Sequence, residues 1–195
     1  MAPFLAPVEK PKGLLLRLVY FFTRKQFGKV STPIAVFSAR MPAAFLSFYG
    51  KVSRLDKKLE LSAHTVVLVR QQVASINSCA FCMDASRWYA MKKSPEDLAR
   101  IDALADYGTS PLFSEAERAA LDYAVELTTT KRADPETFSR LASHYREREI
   151  CDIVWLIASE HVYNLTNHAL NIGSDGLCQI SARRAKDSKP VSLAG

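Results

Sequence analysis

Apolar residues recur at helical spacing along almost the whole chain. Between Ser62 and Ile76, the residues Val66, Val69, Val73 and Ile76 fall three or four apart, as on one face of a helix. Asn77-Ser78 then reads as a turn. A second helix is predicted from about Cys79 to Lys92, its closing lysines suited to the negative end of the helix dipole. Ser94-Pro95-Glu96-Asp97 offers an N-cap, a proline at the first helical position and an acid in the first turn. Ser114-Glu115-Ala116-Glu117 is a capping box that opens a helix to about Thr129. Asp134-Pro135 opens another, and a long helix is predicted from Arg148 to about Asn167. Pro33 and Pro42 break the first third into segments. No run alternates at the period of a strand, and no hairpin turn is present. The pattern is that of an all-α protein.

Composition narrows the function classes. The chain has 195 residues, 48% hydrophobic and 24% charged, with 7 Gly and 9 Pro. That suits one packed domain with ordered extensions. The formal charge of +6 and a pI near 9.2 gather toward the ends: six basic residues and no acid between Lys10 and Lys29, and four more from Arg183 to Lys189 against Asp187. No aromatic-and-basic motif accompanies them, so the expectation is a solvated or subunit-contacting face and no nucleic acid. The apolar run Leu14–Phe22 is interrupted by Arg17 and is too short to span a bilayer. Gly13–Phe27 is read as an arm packed on its own or a neighbouring subunit, with a membrane-surface helix as the alternative and no stable anchoring expected. No convincing cleavage site follows Lys10 and Lys12, and a cytoplasmic protein is expected.

Four cysteines stand at 79, 82, 151 and 178, too uneven for a secreted disulfide framework. Cys79 and Cys82 form a CxxC at the predicted start of a helix. Unpaired backbone N–H groups and the positive dipole end there favour a thiolate, and the first cysteine of such a pair is usually the more exposed. A redox pair, half of a zinc site and incidental thiols all fit the spacing. Zinc would need two more ligands from Cys151, Cys178, His161 or His168, and no second paired motif supplies them. Cys151, on an apolar helical stretch, reads as a buried small hydrophobe. Cys178 follows Gly176 and reads as an accessible third thiol.

The run from Val73 to Ala85, with Asn77-Ser78-Cys79-Ala80-Phe81-Cys82, resembles the AhpD-like (alkylhydroperoxidase) side of the carboxymuconolactone decarboxylase family. Phe113–Leu121, Arg148-Glu149-Ile150 and Tyr163–Asn167 resemble its later helices, so the likeness covers roughly residues 42–176. It implies an all-helical, AhpD-like bundle that assembles into a dimer, trimer or hexamer. It divides the chain into an N-terminal helical arm (1–41), the AhpD-like domain (42–180) and a basic C-terminal tail (181–195). It also implies that Cys82 attacks a hydroperoxide, that Cys79 resolves the product into a disulfide, and that a thiol or dithiol reductant reopens the bridge. No cofactor and no metal is implied.

The sequence departs from that family where a proton relay is built. The peroxidase signature carries a Glu twelve residues before the first cysteine and a His four after the second; here those positions hold Val67 and Ser86. His64, one turn from Val67, is a candidate substitute. Glu160 and His161 on the long last helix are the others, each weighed against being an ordinary surface or core residue. Ser86 could hydrogen-bond a thiolate but cannot act as a base near neutral pH. Asp84 reads as a first-turn acid on a helix N-terminus, and Trp88 and Tyr89 as core or interface. A thiol oxidoreductase is therefore the leading expectation. A non-catalytic scaffold that lost the relay and a decarboxylase-like enzyme are its rivals.

Overall fold

The computed structural model describes residues 2–93 and 96–180; the Ser94-Pro95 cap and the basic tail at 181–195 lie outside the described residues. No strand occurs among those described, and the fold is an AhpD-like all-helical bundle. The elements in chain order are α1 (Leu14–Phe27), α2 (Pro42–Ala44), α3 (Gly50–Asp56), α4 (Ala63–Ile76), α5 (Ala80–Lys93), α6 (Glu96–Asp102), α7 (Glu115–Thr130), α8 (Pro135–Ala142) and α9 (Glu147–Ala169), with wide π-type turns at Ile34–Ser38 and Phe45–Tyr49. Among the described residues no helix is long and apolar enough to cross a membrane.

The starts follow the capping chemistry of the sequence. Ser62 Oγ accepts from the Thr65 N–H at 3.1 Å, and Asp134 Oδ1 accepts from that of Glu136 at 2.9 Å. Ser114 and Glu117 close a reciprocal box, Ser114 Oγ accepting at 3.2 Å and Glu117 Oε2 at 2.9 Å. The core joins α4, α7 and α9 through Val69, Val73, Ala120, Ala124, Ile153, Leu156 and Ile157. Ala120 and Ala124 on α7 leave room for the valines of α4, so the backbones pack closely.

The relation of α4 to α9 positions the site. The Glu60 N–H donates to Asp152 at 2.7 Å, Arg70 to Glu160 at 3.0 Å and Asn77 to Asn164 at 2.8 Å, so the two helices run side by side in the same direction. Their C-terminal ends meet where α5 begins. Ser78, left-handed at φ 55°, turns the chain there, and the Cys79 N–H reaches back to the Ala74 carbonyl at 2.9 Å to close α4.

The N-terminal arm is pinned to the body at several points. Asp175 accepts from Lys29 Nζ at 2.6 Å and from the Thr32 N–H at 2.8 Å, the Phe4 N–H donates to the Leu170 carbonyl at 3.0 Å, and Phe27 packs edge-on to Trp88. Only Leu16, Tyr20 and Thr23 of α1 are buried, whereas Leu14, Leu15, Leu18, Phe21 and Phe22 stay exposed. Apolar residues ring more of this helix than one contact can cover.

Candidate redox site

Cys79 and Cys82 form a disulfide with their Cα atoms 5.3 Å apart, inside the span such a bridge requires. One turn of α5 sets that distance. The sulfurs lie among Ala74, Phe81, Met83 and Tyr163, and Tyr163 stacks on Tyr49 with ring centroids 5.3 Å apart. Here the structure corrects the expectation that the first cysteine is the more exposed. Cys79 is 1% exposed and Cys82 6%, so both are buried and the first is not the more accessible. The start of α5 is roofed by the last turns of α9, which a reading of α5 alone cannot foresee.

Two amides from that roof donate to the sulfurs. Asn164 Nδ2 lies 3.1 Å from Cys82 Sγ, and Asn167 Nδ2 lies 3.4 Å from Cys82 Sγ and 3.5 Å from Cys79 Sγ. Both asparagines are buried. The other N–H of Asn164 goes to Glu160 Oε1 at 2.8 Å, and its Oδ1 accepts from Asn77 Nδ2 at 2.8 Å. With every group of the amide engaged, its orientation is fixed: a flip would set oxygen against carboxylate and sulfur. Asn77 uses its second N–H on His161 Nδ1 at 3.1 Å, and its backbone carbonyl accepts from His168 Nε2 at 2.6 Å. Beyond Glu160, Arg70 bridges to Asp56 at 2.9 Å, and Asp56 accepts from the Trp155 indole at 3.1 Å.

Burial pushes the Glu160 carboxyl above its ordinary range, although Arg70 and Asn164 pull the other way. Burial and the charge of Lys131 hold the His161 imidazole below its ordinary range. A neutral ring is therefore favoured near neutral pH, with Nδ1 free to accept from Asn77. His161 touches Asn77 rather than either sulfur.

The remaining sequence candidates separate. His64 is bonded to the buried Asp97 at 2.7 Å, and it opens the helix whose other end carries the site, roughly 18 Å away along the axis. Sharing a helix face with Val67 does not bring it to the sulfurs. Ser86 is half-buried one turn past Cys82 and takes no part in the network. Asp84 accepts from Ser174 Oγ at 2.8 Å and the Leu177 N–H at 2.9 Å, so its carboxylate anchors the segment after α9 rather than the start of its own helix. Cys178 Sγ lies 3.7 Å from the Asp84 carbonyl, half-buried, its thiol pushed up by burial and by Asp84. Cys151 is exposed, not buried: on that stretch Ile150, Asp152 and Ile153 take the inward positions. Among the described residues no group of three or more His, Cys, Asp or Glu could hold a metal ion. Sequence reasoning assigned no role to Asn164, Asn167 or Arg70; the signal available was three asparagines at the ends of two predicted helices.

No family model matches the chain. It is 30% identical over 176 residues to the uncharacterized protein YnjA of Escherichia coli (strain K12), covering 88% of this chain and 94% of that one. Among solved structures, debrominase Bmp8, as a Cys→Ala variant with 2,3,4-tribromopyrrole, superposes with a TM-score of 0.78 at 19% identity, covering 94% of this chain and 98% of its own. A peroxidase-related protein from Ralstonia eutropha JMP134, described as an alkylhydroperoxidase AhpD core, gives 0.72 at 19% identity over 91% and 96%. At such identity the structural likeness is one of fold.

Proposed function

The chain belongs to the family of YnjA and carries an AhpD-like fold, and on that footing we propose that it is a thiol-dependent oxidoreductase that reduces hydroperoxides through a Cys79–Cys82 disulfide. The observation that carries this reading is the pair itself: two sulfurs at bridging distance, with oriented amide donors on both. Cys82 is the attacking sulfur, since it receives the shorter of the contacts from α9 and a second amide besides. Its thiolate takes the terminal oxygen of the hydroperoxide and becomes a sulfenic acid, and the alcohol leaves with a proton. The Cys79 thiol then displaces water to form the disulfide, and an external dithiol reopens it while being oxidised to its own disulfide. Glu160 sits one amide nitrogen from Cys82. Its raised pKa suits it to hold the proton that the leaving alkoxide needs.

One equivalent of hydroperoxide should remove two free thiols and leave a mass-mapped Cys79–Cys82 bridge. Cys82→Ser should abolish the bridge. Cys79→Ser should leave a sulfenic acid that over-oxidises. Failure of the wild type to form the bridge with any mild oxidant would overturn the proposal in favour of a non-catalytic scaffold.

A second reading is favoured by the apolar and aromatic wall of Phe81, Met83 and Tyr163 around the sulfurs, together with the fold shared with Bmp8. In it the two thiols reduce an aryl bromide to the arene, releasing bromide and a proton and ending as the same disulfide. Bromide release from a brominated pyrrole, measured beside alkyl hydroperoxide consumption, separates the two.

A further inference from the structure

α1 turns two faces in opposite directions. Leu16, Tyr20, Thr23 and Phe27, spaced four, three and four, face the body. The first three are buried, Phe27 packs on Trp88, and Gln26 beside it donates to the Tyr89 hydroxyl at 3.2 Å. Leu14, Leu18 and Phe21, spaced four and three, point the other way, with Leu15 and Phe22 next to them. All five are exposed, Leu14 by 74% and each phenylalanine by 60%. Phe21 and Phe22 meet edge to face with ring centroids 5.5 Å apart, an apolar step standing out from the surface. Charge follows the same helix. Arg17 and Arg24, seven residues apart, flank the apolar face on one side, Lys25 stands at its C-terminal end, and Lys10 and Lys12 precede it. All five cations are exposed, and no acid lies between Lys10 and Lys29.

We propose that this face of α1 docks reversibly on an anionic lipid surface, the helix lying in the plane of the headgroups. The leucines and phenylalanines enter the boundary between headgroups and acyl chains, while Arg17, Arg24 and Lys25 reach out to the anionic groups. Apolar and basic residues on one exposed helix are what such a surface needs together. A nucleic acid would satisfy the cations and leave five apolar side chains in water. A second copy docked through the same face would set cations against cations, with no acid on α1 to answer them. The inference goes beyond the redox reading and does not depend on it.

The test is co-sedimentation of the full chain with two kinds of vesicle. One is phosphatidylserine and phosphatidylcholine at about 3:7, the other phosphatidylcholine alone. The anionic vesicles should bind the chain at least about tenfold more tightly, and raising the salt from about 0.1 to 0.5 M should remove most of that difference. Arg17→Ala with Arg24→Ala should weaken binding by about 25-fold, roughly fivefold for each cation withdrawn. Phe21→Ser with Phe22→Ser should weaken it by about 30-fold. All four side chains are exposed, so both double variants should keep the wild-type circular dichroism and the wild-type rate of bridge formation with a water-soluble hydroperoxide. Should the phenylalanine pair fail to fold, the arginine pair still decides. No binding to the anionic vesicles overturns the proposal, as does equal binding to both kinds or binding indifferent to the double variants. A mass in solution that falls when Phe21 and Phe22 become serine assigns the face to a subunit contact and overturns it as well.

Discussion

The two faces of α9 invert the usual pattern along its second half. The buried residues there are Ser159, Glu160, Asn164 and Asn167, all polar, while two large apolar residues, Val162 and Leu165, are exposed. In the first half the order is the ordinary one, with Ile150, Ile153, Leu156 and Ile157 inward. A helix that buries amides and a carboxyl gives up apolar burial worth about 25 cal/mol per Å². It persists only if each buried group finds a partner, and here Glu160, Asn164 and Asn167 all do. The contrast teaches that the polar half is shaped by what it presents to the sulfurs, and the first half by packing.

The largest effect should come from breaking the inner face. Asn164→Leu keeps the approximate volume but removes the donor to Cys82 and leaves Glu160 and Asn77 each short of a partner. The two groups left short of a partner, one buried and one half-buried, together cost about 3 kcal/mol, read as a lower denaturant midpoint. Disulfide formation with hydroperoxide should slow by about 100-fold, by analogy with the loss of a donor to a developing anion. Leu165→Gln on the outer face should move the monomer's unfolding free energy by no more than about 0.5 kcal/mol. Equal costs on both faces would remove the contrast.

Asn167→Ala should be milder. Its amide is shared between two sulfurs at 3.4 and 3.5 Å, so a loss of about 1 kcal/mol and a roughly tenfold slower bridge are expected by the same assays.

Much of this architecture was legible in the sequence, because helix starts are local chemistry. Ser114 and Asp134 cap the helices they announce, and the CxxC sits at the head of α5. The site itself was only half legible. Cys79 and Cys82 carry their own signature, whereas an asparagine becomes a sulfur ligand only when another helix crosses it. His64 was misleading because helical periodicity reports a face and not a height along the axis. Cys151 was misleading because Ile150, Ile153, Val154 and Trp155 surround it with apolar residues, whereas its exposure follows from Asp152 turning inward to accept from the Glu60 N–H.

Glu160 should leave a mark on stability against pH. Its folded pKa is raised by burial, so the folded chain holds a proton that the unfolded chain releases between the ordinary Glu value and the raised one. Its favourable contribution is complete below the ordinary value and is lost as pH rises through that window. Glu160→Gln, read as unfolding free energy at successive pH values, should remove that decline while leaving the acid-side losses due to Glu117, Glu149 and Asp102, whose pKa values are lowered. A decline unchanged in Glu160→Gln would assign it to another group.

The smallest effect concerns the turn that delivers Cys79 beneath α9. Ser78 holds φ 55°, a left-handed conformation that an L side chain adopts at a cost and glycine adopts freely. The conformation is required, because it aims the Cys79 N–H at the Ala74 carbonyl and starts α5 in the direction that places both sulfurs under Asn164 and Asn167. Ser78→Gly should relieve the strain in the folded state while widening the freedom of the unfolded chain, and the two effects oppose each other. A net gain of about 0.5 kcal/mol is expected, seen as a small rise in the denaturant midpoint with an unchanged rate of bridge formation. Ser78→Val should lose about 1 kcal/mol or more, since a β-branched residue tolerates this region worst. If Ser78→Gly instead slowed the bridge, rigidity of the turn and not its handedness would be what holds the sulfurs beneath their amides.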